Sequence, residues 1–363
     1  EGLSFLDITA RQVISSGIPM VLMNSFSTQA DSLAALERYP ELKGDIPLDF
    51  LQHKVPKIVQ SDLSPATWPA DPELEWCPPG HGDIYTALVT SGMLDSMLAA
   101  GYEYVFVSNA DNLGAVIDTS ILGYFARNSL PFMMEAADRT EADRKGGHLA
   151  KLPNGQLILR ESAQCPEEDV DTFQDVSRHR YFNTNNLWIN LPALEQRLAR
   201  DDNVLELSMI RNSKTVDPTD ASSTPVFQLE TAMGAAIAVF ENAGAVRVPR
   251  SRFAPVKTTS DLLSIRSDDY VLNEKFVVVP AEDRRVGPAI VSLDSNWFRF
   301  IGDLESRFPH GAPSLIDCEK FTVSGDFRFG QNITLQGDVK MVNKTAQQVC
   351  VEDGAVISGR WEA

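Results

Sequence analysis

Apolar positions along this chain follow three different spacings, and each spacing predicts a different kind of element. Short unbroken runs come first: IPMVLMNSF over residues 18–26, YVFV over 104–107, and the stretch 131–137. Runs of that length are too short for helices and predict strands, the one at 104–107 of the kind that fills the centre of a parallel sheet. Polar residues close the runs, Asn24 and Ser25 in the first and Ser108-Asn109-Ala110-Asp111-Asn112 in the second. Ligands of open α/β sheets bind at the carboxyl ends of strands, so these polar rims are candidate binding edges.

Helical spacing accounts for most of what lies between. Leu6, Ile8 and Val13 predict an opening helix, Thr28 and Gln29 begin another, and Leu94, Met97 and Leu98 form one stripe that Gly101 stops. Leu229, Met233, Ala236, Ile237 and Phe240 predict a core helix across QLETAMGAAIAVFENAG, ended by Gly244. Trp297, Ile301, Leu304 and Phe308 predict one short helix capped from Asp294 or Ser295, after a linker over 280–296. HLAKLPNGQLILRES predicts a hairpin, because Asn154-Gly155 is a strong two-residue turn signal.

After Pro313 the spacing becomes six. Phe321, Phe327, Ile333 and Val339 form one series, and Val323, Phe329, Leu335 and Met341 a second, with Gly325, Gly330 and Gly337 between them. Neither a helix nor a simple alternating strand gives that period, which predicts a β-helix rather than a meander of short strands.

Several polar residues stand where such a frame would use them. In PPGHGD, Gly80 and Gly82 flank His81, so the backbone can come close to a ligand while the imidazole and the Asp83 carboxylate point into one space. Asp111 is either a metal ligand, since Mg²⁺ on nucleotide phosphates takes one or two carboxylates, or a turn-former. Asparagine is a poor strand former, so Asn183 and Asn185 on one face of FNTNNLW predict hydrogen bonds to ligand hydroxyls or to a neighbouring loop. Arg247, Arg250, Arg252 and Lys257 lie close in sequence, and one or two of them are expected at phosphate. Lys257 has an alternative partner in Asp261, and Arg247 suits an ordinary ion pair.

Composition narrows the partners. With 363 residues and 43% hydrophobic content the chain suits two domains or one with an appendage. A formal charge of −18 argues against nucleic acid or an anionic membrane as partner. It also means that an anionic substrate would need a local positive field from Mg²⁺, lysine and backbone N–H groups. The four cysteines lack metal-ligand spacing and suit reduced thiols in the cytoplasm, and no apolar run approaches membrane-spanning length.

PPGHGD, NADNLG, KGGHL, FNTNNLW, QLETAMGAAI and VPRSRFAPVKTTSDLL, in that order, resemble UTP–glucose-1-phosphate uridylyltransferases of the eukaryotic type. The resemblance implies a glycosyltransferase-A-like, Rossmann-type nucleotidyltransferase domain over 1–280, a linker with a short helix over 281–313, and a small left-handed β-helix over 314–363. It implies UTP and glucose 1-phosphate as substrates, UDP-glucose and pyrophosphate as products, and Mg²⁺ as cofactor. Asp111 and Lys257 would be catalytic, holding the metal and neutralising phosphate charge. Gln52, Gly80, Asn109 and Asp111 would meet the nucleotide, and His81, Gly147, Glu161, Asn183 and Asn185 the sugar phosphate. From the residues alone, Gln52 and Glu161 read equally well as surface groups. In the family a glycine-rich loop with a lysine precedes the first helix, so a chain that began at Glu1 is expected to bind better than it turns over. Alternatives are a relative using another nucleotide or another sugar or cyclitol phosphate, or a silent sugar-nucleotide-binding or assembly protein. The β-helix offers a surface for a homo-oligomer.

Overall fold

In the computed structural model, which describes residues 2–140, 143–200 and 202–363, the strand Tyr181–Asn190 is the axis of a mixed six-stranded sheet. Its carboxyl half lies between Tyr104–Val107 and Phe132–Asp138, both antiparallel to it. Gly244–Arg247 adds a parallel edge to Phe132–Asp138, and the predicted hairpin is present as His148–Lys151 and Leu157–Arg160. The expectation of a parallel centre at 104–107 is therefore corrected. An apolar run reports burial on both faces and says nothing of direction. Val105 and Val107 pack with Leu187, Ile189 and Phe132 on one face, and Tyr104 and Phe106 pack with Trp188 and Met133 on the other. Each fully buried large side chain in such clusters contributes about 2 kcal/mol relative to exposure.

The chain forms two compact units, one of residues 1–109 and 117–250, the other of 110–116 and 251–363. In the first, Phe5–Ser16 is a helix with a capping box between Ser4 and Asp7 and a left-handed stop at Gly17. Strand Leu22–Asn24, shorter than predicted, runs parallel to Asp49–Leu51. The 84–99 stretch is two helices, Ile84–Thr90 and Met93–Ala99, broken where Gly92 takes a φ of 75°. The helix predicted across Gln228–Phe240 is absent. Pro225–Thr231 is a strand paired along its whole length with Met209–Thr215, and Met233–Ala238 is a 3-10 turn. Pairing with the preceding strand, and at its start with Ile58–Val59, overrides the local helical spacing. Met233, Ala236, Ile237 and Phe240 are nonetheless core residues, and Gly244 opens a strand instead of ending a helix.

His148, at the start of the hairpin, is wholly buried and stacks on His179 with ring centroids 3.9 Å apart.

In the second unit, Ile290–Leu293, Ser314–Ser324, Thr334–Val342 and Val356–Glu362 form one parallel sheet, and Phe327–Phe329 pairs in parallel with Val349–Val351. All eight residues of the two period-six series are buried. The segment read as a linker contains the Ile290–Leu293 strand, and the single predicted helix is two, Ser295–Phe298 and Ile301–Arg307. Phe298, Leu304 and Phe308 are its buried residues, whereas Ile301 is exposed. The contacts divide the chain at 250/251, earlier than the boundary expected at 280/281.

Candidate functional site

The turn His81–Asp83 ties several parts of the first unit together. A Cβ on Gly80 would lie 2.6 Å from the Thr231 carbonyl oxygen, and one on Gly82 would lie 2.5 Å from Thr231 Oγ1. Gly80 also has a φ of 83°. These glycines therefore admit the end of the Pro225–Thr231 strand, a different close approach from the one expected. His81 Nδ1 accepts the Met233 N–H at 2.9 Å, which leaves the proton of a neutral ring on Nε2. Asp83 takes a different partner from that ring. Its Oδ2 accepts the His53 N–H at 2.7 Å, and its Oδ1 lies 2.9 Å from His53 Nδ1.

Gln52 is half-buried at the end of Asp49–Leu51, its N–H bonded to Asn24 O at 2.9 Å. It lines a cleft of about 510 Å³ together with Asp49, His53, Thr90 and Ser96.

Asn183 and Asn185 sit in a register shift of the Tyr181–Asn190 strand between Asn183 and Leu187. Asn185 has a φ of 58°, and the two side chains bind each other: Asn183 Nδ2 donates to Asn185 Oδ1 at 2.7 Å. Asn183 Oδ1 in turn accepts the Asn185 N–H at 2.8 Å. Simple alternation does not describe a bulge, yet both residues are half-buried while Thr184 and Asn186 are buried. Gly147 O accepts the Asn183 N–H at 3.2 Å, and a Cβ on Gly147 would lie 2.6 Å from Glu161 Oε2. Burial pushes the Glu161 carboxyl above its usual range. A Cβ on Gly234 would lie 2.6 Å from Asn183 Nδ2, and Gly234 follows Met233, the partner of His81. Gly80, His81, Gly147, Glu161, Asn183 and Asn185 are thus linked around one region of the first unit.

Glu135 was not anticipated. It is wholly buried beneath the bulge, accepting Asn186 Nδ2 at 3.0 Å and Trp188 Nε1 at 2.9 Å, while its carbonyl accepts Thr184 Oγ1 at 2.7 Å. A lone glutamate in the apolar run FMMEAAD is the signal that could have found it.

Asn109 closes a segment of the first unit and is half-buried; Asp111 belongs to the second. There Asn112 fastens the 110–116 segment: its Nδ2 donates to Arg252 O at 3.1 Å and its Oδ1 accepts the Ala254 N–H at 2.8 Å. The Asp111 carbonyl accepts the Val256 N–H at 3.0 Å. Its carboxylate is treated differently: Oδ1 is shielded from solvent and has no hydrogen-bond partner among the described residues. Burial raises the Asp111 pKa, and the positive charge of Lys257 pulls it back down. Lys257 is exposed, and its ammonium forms no ion pair among the described residues. Asp261 instead accepts the main-chain N–H groups of Lys257 and Thr258 at 3.0 and 2.8 Å and caps the helix Thr259–Arg266.

The arginines near Lys257 in sequence are otherwise engaged. Arg247 pairs with Asp138 as expected, Arg250 with Asp143, and buried Arg252 donates to Val116 O at 2.9 Å. Among the described residues no group of three metal-ligating side chains occurs, no helix is long and apolar enough to cross a membrane, and all four cysteines are free.

The family model for UTP–glucose-1-phosphate uridylyltransferase matches residues 1–336. The uridylyltransferase of that name from Solanum tuberosum is 40% identical over 99% of this chain and 75% of its own length. The one from Saccharomyces cerevisiae is 39% identical over 98% and 71%. Among solved structures, a mutant UDP-glucose pyrophosphorylase from Leishmania major in complex with UDP-glucose superposes with a TM-score of 0.92 at 45% identity, covering all of this chain and 80% of that one. A UDP-glucose phosphorylase from Trypanosoma brucei gives 0.93 at 44%, with the same coverage.

Proposed function

The chain belongs to the UTP–glucose-1-phosphate uridylyltransferase family, and we infer from that membership that it is a nucleotidyltransferase joining UTP to glucose 1-phosphate, reversibly, with UDP-glucose and pyrophosphate as products. A phosphate oxygen of the sugar phosphate attacks the α-phosphorus in line while pyrophosphate departs. No covalent nucleophile on the protein is needed, so the side chains position and neutralise.

The observation that carries this chemistry is the orphaned Oδ1 of Asp111 in a region influenced by Lys257. A shielded carboxylate oxygen without a donor suits a divalent cation, and Mg²⁺ bound to nucleotide phosphates needs few protein ligands. Asp111 is the residue we assign to hold it. When bound, the ion would supply charge neutralisation at the phosphates. Lys257 presents a second positive charge, on a flexible stem, to the same phosphates. Gln52 has the donor and acceptor needed to read a base edge, and Gly80 and Asn109 are assigned to the nucleotide with it. His81, with Nε2 as a donor, and Gly147, Glu161, Asn183 and Asn185 are assigned to the sugar phosphate. The mutual hydrogen bonds of the two asparagines hold them in a geometry that a hydroxyl-bearing ligand can meet without reorganising them.

We read the first unit as the glycosyltransferase-A-like, Rossmann-type catalytic domain. Residues 314–363 we read as a left-handed β-helix; parallel registers and the buried period-six series support the coil, and the hand rests on the resemblance. Assembly through that coil and a cytoplasmic location are further proposals, to be tested by sizing a protein that lacks residues 314–363 and by fractionation. The decisive experiment is pyrophosphate release by the full-length protein across a panel of nucleotides and sugar phosphates. UTP with glucose 1-phosphate is expected to lead the panel; no release with any pair would refute the assignment.

A further inference from the structure

We propose that Asp83 is a positioning residue for Gln52, and through Gln52 a determinant of base recognition; this rests on the assignment of Gln52 to the base made above. A residue's Cα–Cβ direction is set once the two peptide planes that flank it are fixed, because each plane is rigid. The plane before Gln52 is held by its own N–H on Asn24 O at 2.9 Å. The plane after it carries the His53 N–H, held on Asp83 Oδ2 at 2.7 Å.

Both anchors are themselves secured. Asn24 Nδ2 donates to Asp49 Oδ2 at 3.1 Å, and Asp49 also accepts Gln29 Nε2 at 2.8 Å. Asp83 stands in the turn that Gly80 and Gly82 press against Thr231, and its side chain is only 9% exposed. Its second oxygen lies 2.9 Å from His53 Nδ1, and His53 Nε2 lies 3.0 Å from Thr90 Oγ1. The imidazole is therefore held from both sides, so it cannot swing into the cleft that it lines with Gln52. Both carboxylate oxygens of Asp83 are engaged by residue 53. Neither is required to touch substrate.

Removing the carboxylate would free the peptide after Gln52 and let its amide sample several directions, weakening the match to a uracil edge. Asparagine at 83 can keep both contacts, its oxygen accepting the His53 N–H and its NH₂ donating to Nδ1 of the other imidazole tautomer. The test is steady-state kinetics of the full-length protein with UTP, CTP and glucose 1-phosphate, comparing Gln52→Ala, Asp83→Ala, Asp83→Asn and the double alanine variant. Asp83→Ala is expected to raise KM for UTP about tenfold and to narrow the preference for UTP over CTP, leaving KM for glucose 1-phosphate nearly unchanged. Asp83→Asn should restore most of the loss, and the double variant should discriminate no worse than Gln52→Ala alone.

Additive losses in the double variant, or an unchanged UTP preference in Asp83→Ala while Gln52→Ala loses it, would overturn the positioning role and leave the Gln52 assignment standing. An unchanged preference in Gln52→Ala would remove the base assignment and the inference with it. Should Asp83→Ala fail to fold, His53→Ala takes its place: it drops the imidazole contacts but keeps the main-chain bond. It is expected to raise KM for UTP about threefold with glucose 1-phosphate unaffected, and equal effects on both substrates would count against the proposal.

Discussion

Glu135 and Asp111 are both carboxylates drawn away from solvent, and their surroundings differ in one respect. Glu135, in the central sheet of the first unit, receives an N–H from Asn186 on one oxygen and from Trp188 on the other. Asp111, in the second unit, has an oxygen that receives nothing among the described residues. A buried acceptor left without a donor costs about 1–3 kcal/mol, more when it is charged, so such an arrangement persists where something outside the fold offsets it. Supplied donors make Glu135 a finished piece of structure that shapes the strand presenting Asn183 and Asn185. Asp111 keeps an acceptor for which the described residues supply no donor, which is why the proposed cation is assigned to it. Burial alone does not separate the two carboxylates; the donors each receives do.

Substitution should separate the two. The largest effect is expected at Asp111→Asn, which keeps the shape and removes the charge: turnover should fall by about a thousandfold, with the melting transition unmoved or slightly raised. Calorimetry that showed a large loss of stability instead would make Asp111 a structural group like Glu135. Next comes Lys257→Ala. Its charge is the largest one acting to keep Asp111 ionised, and removing it should cost about 3 kcal/mol of transition-state stabilisation, roughly a hundredfold in turnover, with unchanged melting. Wild-type turnover in this variant would leave the lysine with no role at phosphate. The smallest expected effect is that of Glu135→Gln, about 2 kcal/mol of stability in a urea titration, because the new NH₂ faces a donor where an oxygen had accepted one. A loss of turnover without a loss of stability there would break the contrast from the other side.

The sequence made some of this legible and hid the rest for identifiable reasons. The period-six series was readable because each inward position repeats in the chain itself, and all eight residues are buried. The unusual asparagines of FNTNNLW were readable because their type conflicts with their setting. Their geometry was not, since the bulge depends on Glu135, about fifty residues away, and on the positive φ at Asn185. Strand pairing defeated the helix predicted from Gln228: the spacing of apolar residues was sound for packing, but Met209–Thr215, just upstream, and the distant Ile58–Val59 supplied strand partners that the helical spacing does not announce. Gly80 and Gly82 were read as places where the backbone comes close to a ligand. What approaches is Thr231 of the chain itself, and motif spacing carries no information about which.

The stacked pair of His148 and His179 has a consequence for the heat balance of the molecule. Burial, with the charges of His179, Arg139 and Arg160 added to it, lowers the His148 pKa from 6.5 to about 4, so the ring stays neutral in the fold where an unfolded chain would charge it. The stability this group lends is whole above pH 6.5 and drains as the pH falls toward about 4, a loss of up to about 3 kcal/mol. In that window His148 by itself takes up about one proton from the buffer when the molecule denatures. The measured enthalpy of unfolding near pH 5 should then depend on which buffer surrendered that proton.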